Sequence, residues 1–377
     1  MSVACGNDGK ATDHDSTLDV GTYSTQPLDS SYDDRPSYGR GVLVESLRLG
    51  ARAAFGSEIA PEFSAGHGGI VLATEDGIRN ADGIMAPAMA PFHPMGAFIT
   101  DAAETPYVGE HDKHYELSIG LVSFPDEQSA TDAAVALAQN DLGMNGKNEL
   151  VGLPDYPAAL SHWRPGVPNL GSWMAWKSVV IAVFVQSRQA NLDQLTAFVS
   201  KAYQQQLAKL DGYVPVARDQ LPMLKLDQDK LLTRLVKTND ARPDQRDFAV
   251  YSPRGFAGLG TDPVAAAREY GDAGVKAIAV SDNKYLYDLR DTAAARDFTT
   301  RLAKDPTISK FVPMAGVPGA ADISCFKATQ PNPTVAAARR FRCVIPHEEV
   351  VAEVFSTEES DVRQLAAAQY TVLKGAG

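Results

Sequence analysis

The chain of 377 residues contains only three cysteines, and none of them falls at the CxxC spacing that a zinc ribbon or a dithiol redox centre requires. Long apolar runs are missing as well. The strongest, Val179 to Val185, has the length of a buried strand, far short of the 18 or more residues expected of a membrane-crossing helix. Positive charge is scarce: 35 Lys plus Arg stand against 47 Asp plus Glu, a formal net charge of −12. Such a surface repels phosphate backbones, so nucleic acid is not an expected partner. The sequence also lacks a GxSxG elbow, an HExxH pair and a GxxxxGK[ST] loop, which removes the usual signatures of serine hydrolases, zincins and P-loop enzymes.

What remains is a body with 44% apolar residues, long enough for two cores of ordinary domain size. Cys5 stands ahead of it in "MSVACGNDGKATDHDSTLDV". The stretch Val3-Ala4-Cys5-Gly6 matches the end of a bacterial lipoprotein signal peptide, although Ser2 occupies a place where Leu is usual. The polar run that follows, from Gly6 to Ser16, is too poor in apolar side chains to offset its ordering entropy. Residues 1–17 are therefore expected to form a tether, with Cys5 carrying a lipid such as palmitate. The alternative is a frayed terminus with an incidental thiol.

Cys325 and Cys343 lie in "DISCFKATQPNPTVAAARRFRCVIP". Ile323 to Ala328 and Phe341 to Ile345 read as strands, and Pro331, Asn332 and Pro333 mark the connection between them. Paired strands would bring the two Cα atoms to the roughly 5.5 Å that a disulfide needs, and such a bridge persists only in an oxidising compartment. Two buried free thiols are the alternative.

Helical spacing is clear at Gly41 to Phe55, Asp126 to Asn140, Leu192 to Leu210 and Asp262 to Ala273, and strand alternation at Tyr115 to Phe124. The second half repeats the first. "VGTYS" at Val20 to Ser24 pairs with "FAVYS" at Phe248 to Ser252; the unit Tyr115 to Asn140 pairs with Lys284 to Asp305; and both halves close on an apolar strand leading into a long helix with an acidic start. On this reading the segment His67 to Glu110 has little counterpart. The expected fold class is α+β: two similar, duplicated domains, each a mainly antiparallel sheet with helices packed on one face. The expected division is an N-terminal domain at 18–212, a linker at 213–245 with a helix near Asp227 to Val236, and a C-terminal domain at 246–377. A cleft between the domains is the default ligand site.

The stretches "LDVGTYSTQP" (Leu18 to Pro27), "GVLVESLRLGARAAFGSEIAPEF" (Gly41 to Phe63) and "SFPDEQSATDAAVALA" (Ser123 to Ala138) resemble an uncharacterised family of lipid-anchored envelope lipoproteins from mycolic-acid-bearing actinobacteria. The resemblance implies a place outside the cytoplasmic membrane, held to its outer leaflet through the lipid on Cys5, and it brings no established reaction. The strand-helix repeats are also similar, more loosely, to ligand-sensing domains attached to mycobacterial membrane kinases.

Three clusters are candidates for chemistry or binding. In "GEHDKHYE", Glu110, His111, Asp112 and His114 could share a zinc ion, with His67 or His93 as a further ligand, although alternation along a strand separates residues three apart. "GFAGLG" at Gly255 to Gly260 has the outline of a dinucleotide loop, but that fingerprint needs a parallel βαβ unit. A turn capping the next helix through Thr261 and Asp262, with Pro263 at its first position, fits better. Trp163, Trp173 and Trp176, with Tyr156, His162 and Arg164, supply the aromatic and guanidinium groups that grip sugars or proteins, or else ordinary core packing. The expectation is a non-enzymatic protein without a cofactor that binds a small apolar or glycan ligand or an envelope protein. Its alternatives are a metal-dependent envelope enzyme built on His111 and His114, and a structural subunit of a membrane complex.

Overall fold

Seven strands of each half form one wholly antiparallel sheet, and the two sheets share one topology. The computed structural model describes residues 18–80, 86–105, 114–238, 247–304, 311–329 and 339–375. In the first half, helices α1 (Tyr38–Gly50) and α2 (Gly56–Ile59) precede β1 (Ala65–Leu72). Short helices α3 (Glu75–Asn80) and α4 (Ala86–Met89) lead to β2 (Gly96–Ala103) and β3 (Glu116–Ser123). Helix α5 (Glu127–Met144) then crosses to the far edge, where β4 (Glu149–Val151), β5 (Leu160–Trp163), β6 (Asn169–Trp176) and β7 (Val179–Gln186) step back until β7 pairs with β3. Helix α6 (Leu192–Leu210) closes the domain.

The second half repeats this order: β8 (Phe248–Tyr251), α7 (Pro253–Ala257), α8 (Pro263–Ala273), β9 (Val275–Ser281), β10 (Lys284–Leu289) and α9 (Thr292–Lys304). It continues through β11 (Phe311–Met314), β12 (Ser324–Ala328), β13 (Phe341–His347), β14 (Val350–Ser356) and α10 (Glu359–Gly375). The sheet orders β1-β2-β3-β7-β6-β5-β4 and β8-β9-β10-β14-β13-β12-β11 correspond strand for strand. The duplicated α+β architecture is therefore real, but its register differs from the sequence expectation. The counterpart of β8 is β1, not Val20 to Ser24, which lies outside every strand. The described part of His67 to Glu110 carries most of β1, all of β2, and α3 and α4, matching β8 to β9. Glycine and methionine in that stretch dilute the strand signal that its backbone pairing supplies.

Helices cover both faces of each sheet, where one face was expected. Every residue of β10 and β14 is buried, and a strand buried on both sides needs a layer on each. Side-chain hydrogen bonds set the helix starts: Asp126 accepts from the Ser129 N–H, Asn191 from Gln194 and Asp262 from Ala265. Pro263 holds the first turn of α8, and Gly274, at φ +75°, closes it in the left-handed region that only glycine adopts without strain. "GFAGLG" is thus α7 and the turn into α8, and β8 pairs antiparallel with β9, which leaves no dinucleotide-type βαβ unit. The expected linker helix at Asp227 to Val236 is absent; that stretch holds a single 3-10 turn, Leu232–Arg234. The Asp227 carboxylate accepts from the Leu231 and Leu232 N–H groups and from the Tyr32 hydroxyl, so a side chain takes the backbone donors that helix would use.

Cys325 and Cys343 are directly opposite in the β12–β13 register and form a disulfide, with Cα atoms 4.1 Å apart.

Candidate functional site: a half-covered sheet face

The two domains meet along two glycine-rich stretches. A Cβ on Gly69 would lie 2.7 Å from the Gly258 carbonyl oxygen, and one on Gly66 would lie 2.8 Å from that of Gly260. Glycine in β1 thus lets the α7–α8 loop lie against the strand, and Gly66 N–H donates to the Thr261 carbonyl at 2.8 Å. Arg254 crosses the seam, donating to the Ala53 carbonyl at 2.7 Å and to Glu58 at 2.6 Å while stacking over Phe55. Burial alone would raise the Glu58 carboxyl, yet hydrogen bonds from Arg254, the Phe55 N–H and Lys209 hold it below the usual range. The cavity at this seam measures about 10 Å³, room for no more than a water. The interdomain cleft expected to take a ligand is filled by backbone.

A cavity of about 840 Å³ lies instead on the N-terminal domain's own sheet, beneath α5, within the range typical of small-molecule sites. Its floor follows from the strand register. One row across five strands reads Asp101, Ser118, Phe184, Gly171 and His162; the next reads Ile99, Gly120, Ala182 and Trp173; a third reads Ala97, Val122 and Val180. Two steps of about 6.8 Å separate the first row from the third. The cavity is graded, polar at one end and apolar at the other. Its middle is open because the central residues are small: a Cβ on Gly120 would make only ordinary contacts, 3.7 Å from Ala182 and 3.9 Å from Ile99. Gly171 has a second role, since a Cβ there would meet the Trp173 ring at 2.7 Å; its absence lets the indole lie along β6 as part of the wall.

Alanines at 130, 133, 134 and 138 seat α5 closely over the apolar rows. Its last turns run on past the covered part, so that Asp141 and Met144 form one lip, while Ile78 and Met89 of α3 and α4 line another side. His162 is 4% exposed, tilted against Trp173 with ring centroids 5.7 Å apart, and its Nδ1 lies 3.3 Å from the Asp141 carboxylate. Burial pushes the Asp101 carboxyl above the usual carboxylate range and the neighbouring Glu116 charge adds to this, against the hydrogen bond from Ser118.

The equivalent face of the C-terminal domain is full. There β10 presents Tyr285 and Tyr287, β14 presents Glu353 and Phe355, and β13 presents Arg342. Phe298 of α9 packs edge-on against Tyr287 at 4.9 Å. Arg342 bridges Glu353 at 3.1 Å and donates to the Leu302 carbonyl at 2.8 Å, and the Tyr287 hydroxyl donates to Glu353 at 3.2 Å.

Of the residues singled out in the sequence, Trp173, Arg164 and His162 line the cavity. Trp163, Trp176 and Tyr156 do not: they pack against the core on the opposite face, Trp163 donating to the Val167 carbonyl and Tyr156 lying against Tyr203. Period-two alternation separates them, since residues three apart on β6 cannot share a face. His114 contacts Glu116 at 3.2 Å, and His67 contacts the Thr105 carbonyl at 2.7 Å. Cys5, Glu110, His111 and Asp112 lie outside the described residues. Among the described residues no three His, Cys, Asp or Glu side chains converge to hold a metal, and no helix is long and apolar enough to cross a membrane. Sequence reasoning missed Asp101, Ser118, Gly120, Ala182 and Phe184. For all but Phe184 the signal is the small or polar residue at alternate positions of otherwise strongly apolar strands.

The chain belongs to the family described as "Domain of unknown function (DUF7373)": residues 32–226 match its N-terminal part and residues 231–376 its C-terminal part. No curated protein matches it. Among solved structures, the extracellular domain of PknH from Mycobacterium tuberculosis is similar at 14% identity, with 48% of this chain and 100% of that chain covered and a TM-score of 0.29. A likeness at that score adds nothing to the fold described above.

Proposed function

We propose that this protein is a lipid-anchored, extracytoplasmic binding protein that holds a small, partly apolar molecule on the N-terminal sheet and catalyses no reaction on it. One observation carries the binding reading: two sheets of identical topology differ on the same face, one packed solid by aromatic side chains and the other left with a cavity of about 840 Å³. An apolar floor that side chains could have filled, and did not, is what a ligand site requires. The location rests on other grounds, namely the Cys325–Cys343 bridge, which an oxidising compartment preserves, and the lipoprotein-like sequence around Cys5.

The test is native mass spectrometry of the full chain purified gently from its own envelope, beside a Gly120→Leu variant that fills the cavity from its floor. Wild-type protein is expected to carry a small-molecule adduct that the variant lacks, and the N-terminal peptide to carry acyl chains on Cys5. Wild-type protein without any adduct overturns the binding reading, and an unacylated Cys5 overturns the anchor.

A further inference from the structure

The polarity of the cavity says which kind of molecule fits it. This deepens the binding reading above and rests on it. Three carboxylates line the cavity, Asp101, Glu116 and Asp141, against a single guanidinium, Arg164. The carboxylates of Asp101 and Glu116 stand on neighbouring strands, and Asp101 accepts from Ser118 while lying in the fields of Glu116 and His67. His162 adds a polar group at the far end of the row: its Nδ1 lies 3.3 Å from the Asp141 carboxylate, and its Nε2 has no protein partner among the described residues. Its ring is almost wholly buried and borders the cavity. Polar groups thus stand at both ends of the polar row, Asp101 on β2 and His162 on β5, separated by four strand spacings of about 4.8 Å each. The rows beyond, Ile99 with Gly120 and Ala182, then Ala97 with Val122 and Val180, are apolar.

We infer that the ligand is an amphiphile whose apolar tail lies over Gly120 and Ala182 beneath α5, and whose head, on the polar row beside Asp101 and Glu116, donates hydrogen bonds through hydroxyl or amine groups. An acidic head would meet carboxylates in a partly dry site, where like charges repel strongly. An apolar molecule with no head would leave the buried acceptors without partners.

Three probes with the same ten-carbon tail separate the cases: decyl maltoside, decylamine and decanoate, titrated below their micelle concentrations by calorimetry into the full chain. The maltoside, the amine or both are expected to bind at least about tenfold more tightly than decanoate. In the isosteric double variant Asp101→Asn/Glu116→Gln the advantage of the amine over decanoate is expected to vanish, and Ala182→Phe is expected to abolish binding of all three while leaving the thermal transition in place. If the double variant fails to fold, Asp101→Asn alone, which keeps the Ser118 contact, serves with the same readout. Decanoate binding as tightly as the others, or a preference that survives loss of the carboxylates, overturns the inference. Failure of all three probes also overturns it, and the binding reading falls with it only if the native protein carries no adduct either.

Discussion

The α5-side face of the N-terminal sheet and the α9-side face of the C-terminal sheet are built on the same strand order, yet one is hollow and the other solid. On the two central strands the contrast is one of size. The hollow face carries Ser118, Gly120 and Ala182 beside the exposed ring of Phe184, and the solid one carries the buried Tyr285, Tyr287, Glu353 and Phe355. The covering helices follow suit, with alanine-rich α5 against α9, whose Phe298 fills the layer beneath it. A stable fold of this topology therefore needs no open face; the closed copy demonstrates it. One domain retains the packing that stabilises, and the other has given up that packing for space.

Three changes sharpen or break this comparison. The largest effect is expected inside the solid face. Arg342→Met leaves Glu353 buried without its directly paired cation, with only the more distant charge of Arg339 remaining, and should cost about 3–5 kcal/mol, measured by denaturant unfolding. Burial already holds the Glu353 carboxyl above the usual range, with Arg342 acting against it. A raised folded value means stability is fully present below the unfolded value and is lost as pH rises, so the deficit of the variant should shrink on acidification toward pH 4.5. Replacing both partners, Arg342→Met with Glu353→Leu, should recover most of the loss.

Aromatic truncation on the two faces comes next. Phe298→Ala removes a ring with 0% exposure and should cost about 3–5 kcal/mol, whereas Phe184→Ala, at 38% exposure on the hollow face, should cost less than about 1 kcal/mol. Equal losses would mean that the hollow face is packed as tightly as its copy. The smallest effect has the opposite sign. Asp101→Asn removes a carboxyl that burial disfavours in its charged form, so it should raise the melting temperature at pH 7. Because the folded value is raised, the gain should fade as pH drops below the unfolded 3.8, where the wild-type carboxyl is also protonated in both states.

Much of the architecture can be read from local pattern. Alternation in "YELSIGLVSF" marks β3, Asp262 and Pro263 mark the start of α8, and the pairing of β12 with β13 brings Cys325 opposite Cys343. These signals are local, carried by residues a few positions apart. The offset between the halves was not legible, because β1 is rich in glycine, and those glycines serve the contact with Gly258 and Gly260 of the other domain. "GFAGLG" leads into the capped start of α8, as its Thr261-Asp262-Pro263 sequel indicates, but that Gly258 and Gly260 also lie against β1 is not visible in the sequence. The tryptophan cluster divides because sequence proximity within a strand alternates between faces. The cavity row draws its residues from positions 101, 118, 162, 171 and 184, and no window of sequence contains them together.

By itself the sequence determined the class of the fold, the doubling and the bridge between Cys325 and Cys343, because periodicity, capping and alternation within strands are carried by neighbouring residues. Only the tertiary structure decided where empty space would lie. A cavity is a property of what distant side chains fail to fill, and that is fixed when strand register sets Gly120 and Ala182 beneath α5 and the glycines of β1 against the second domain.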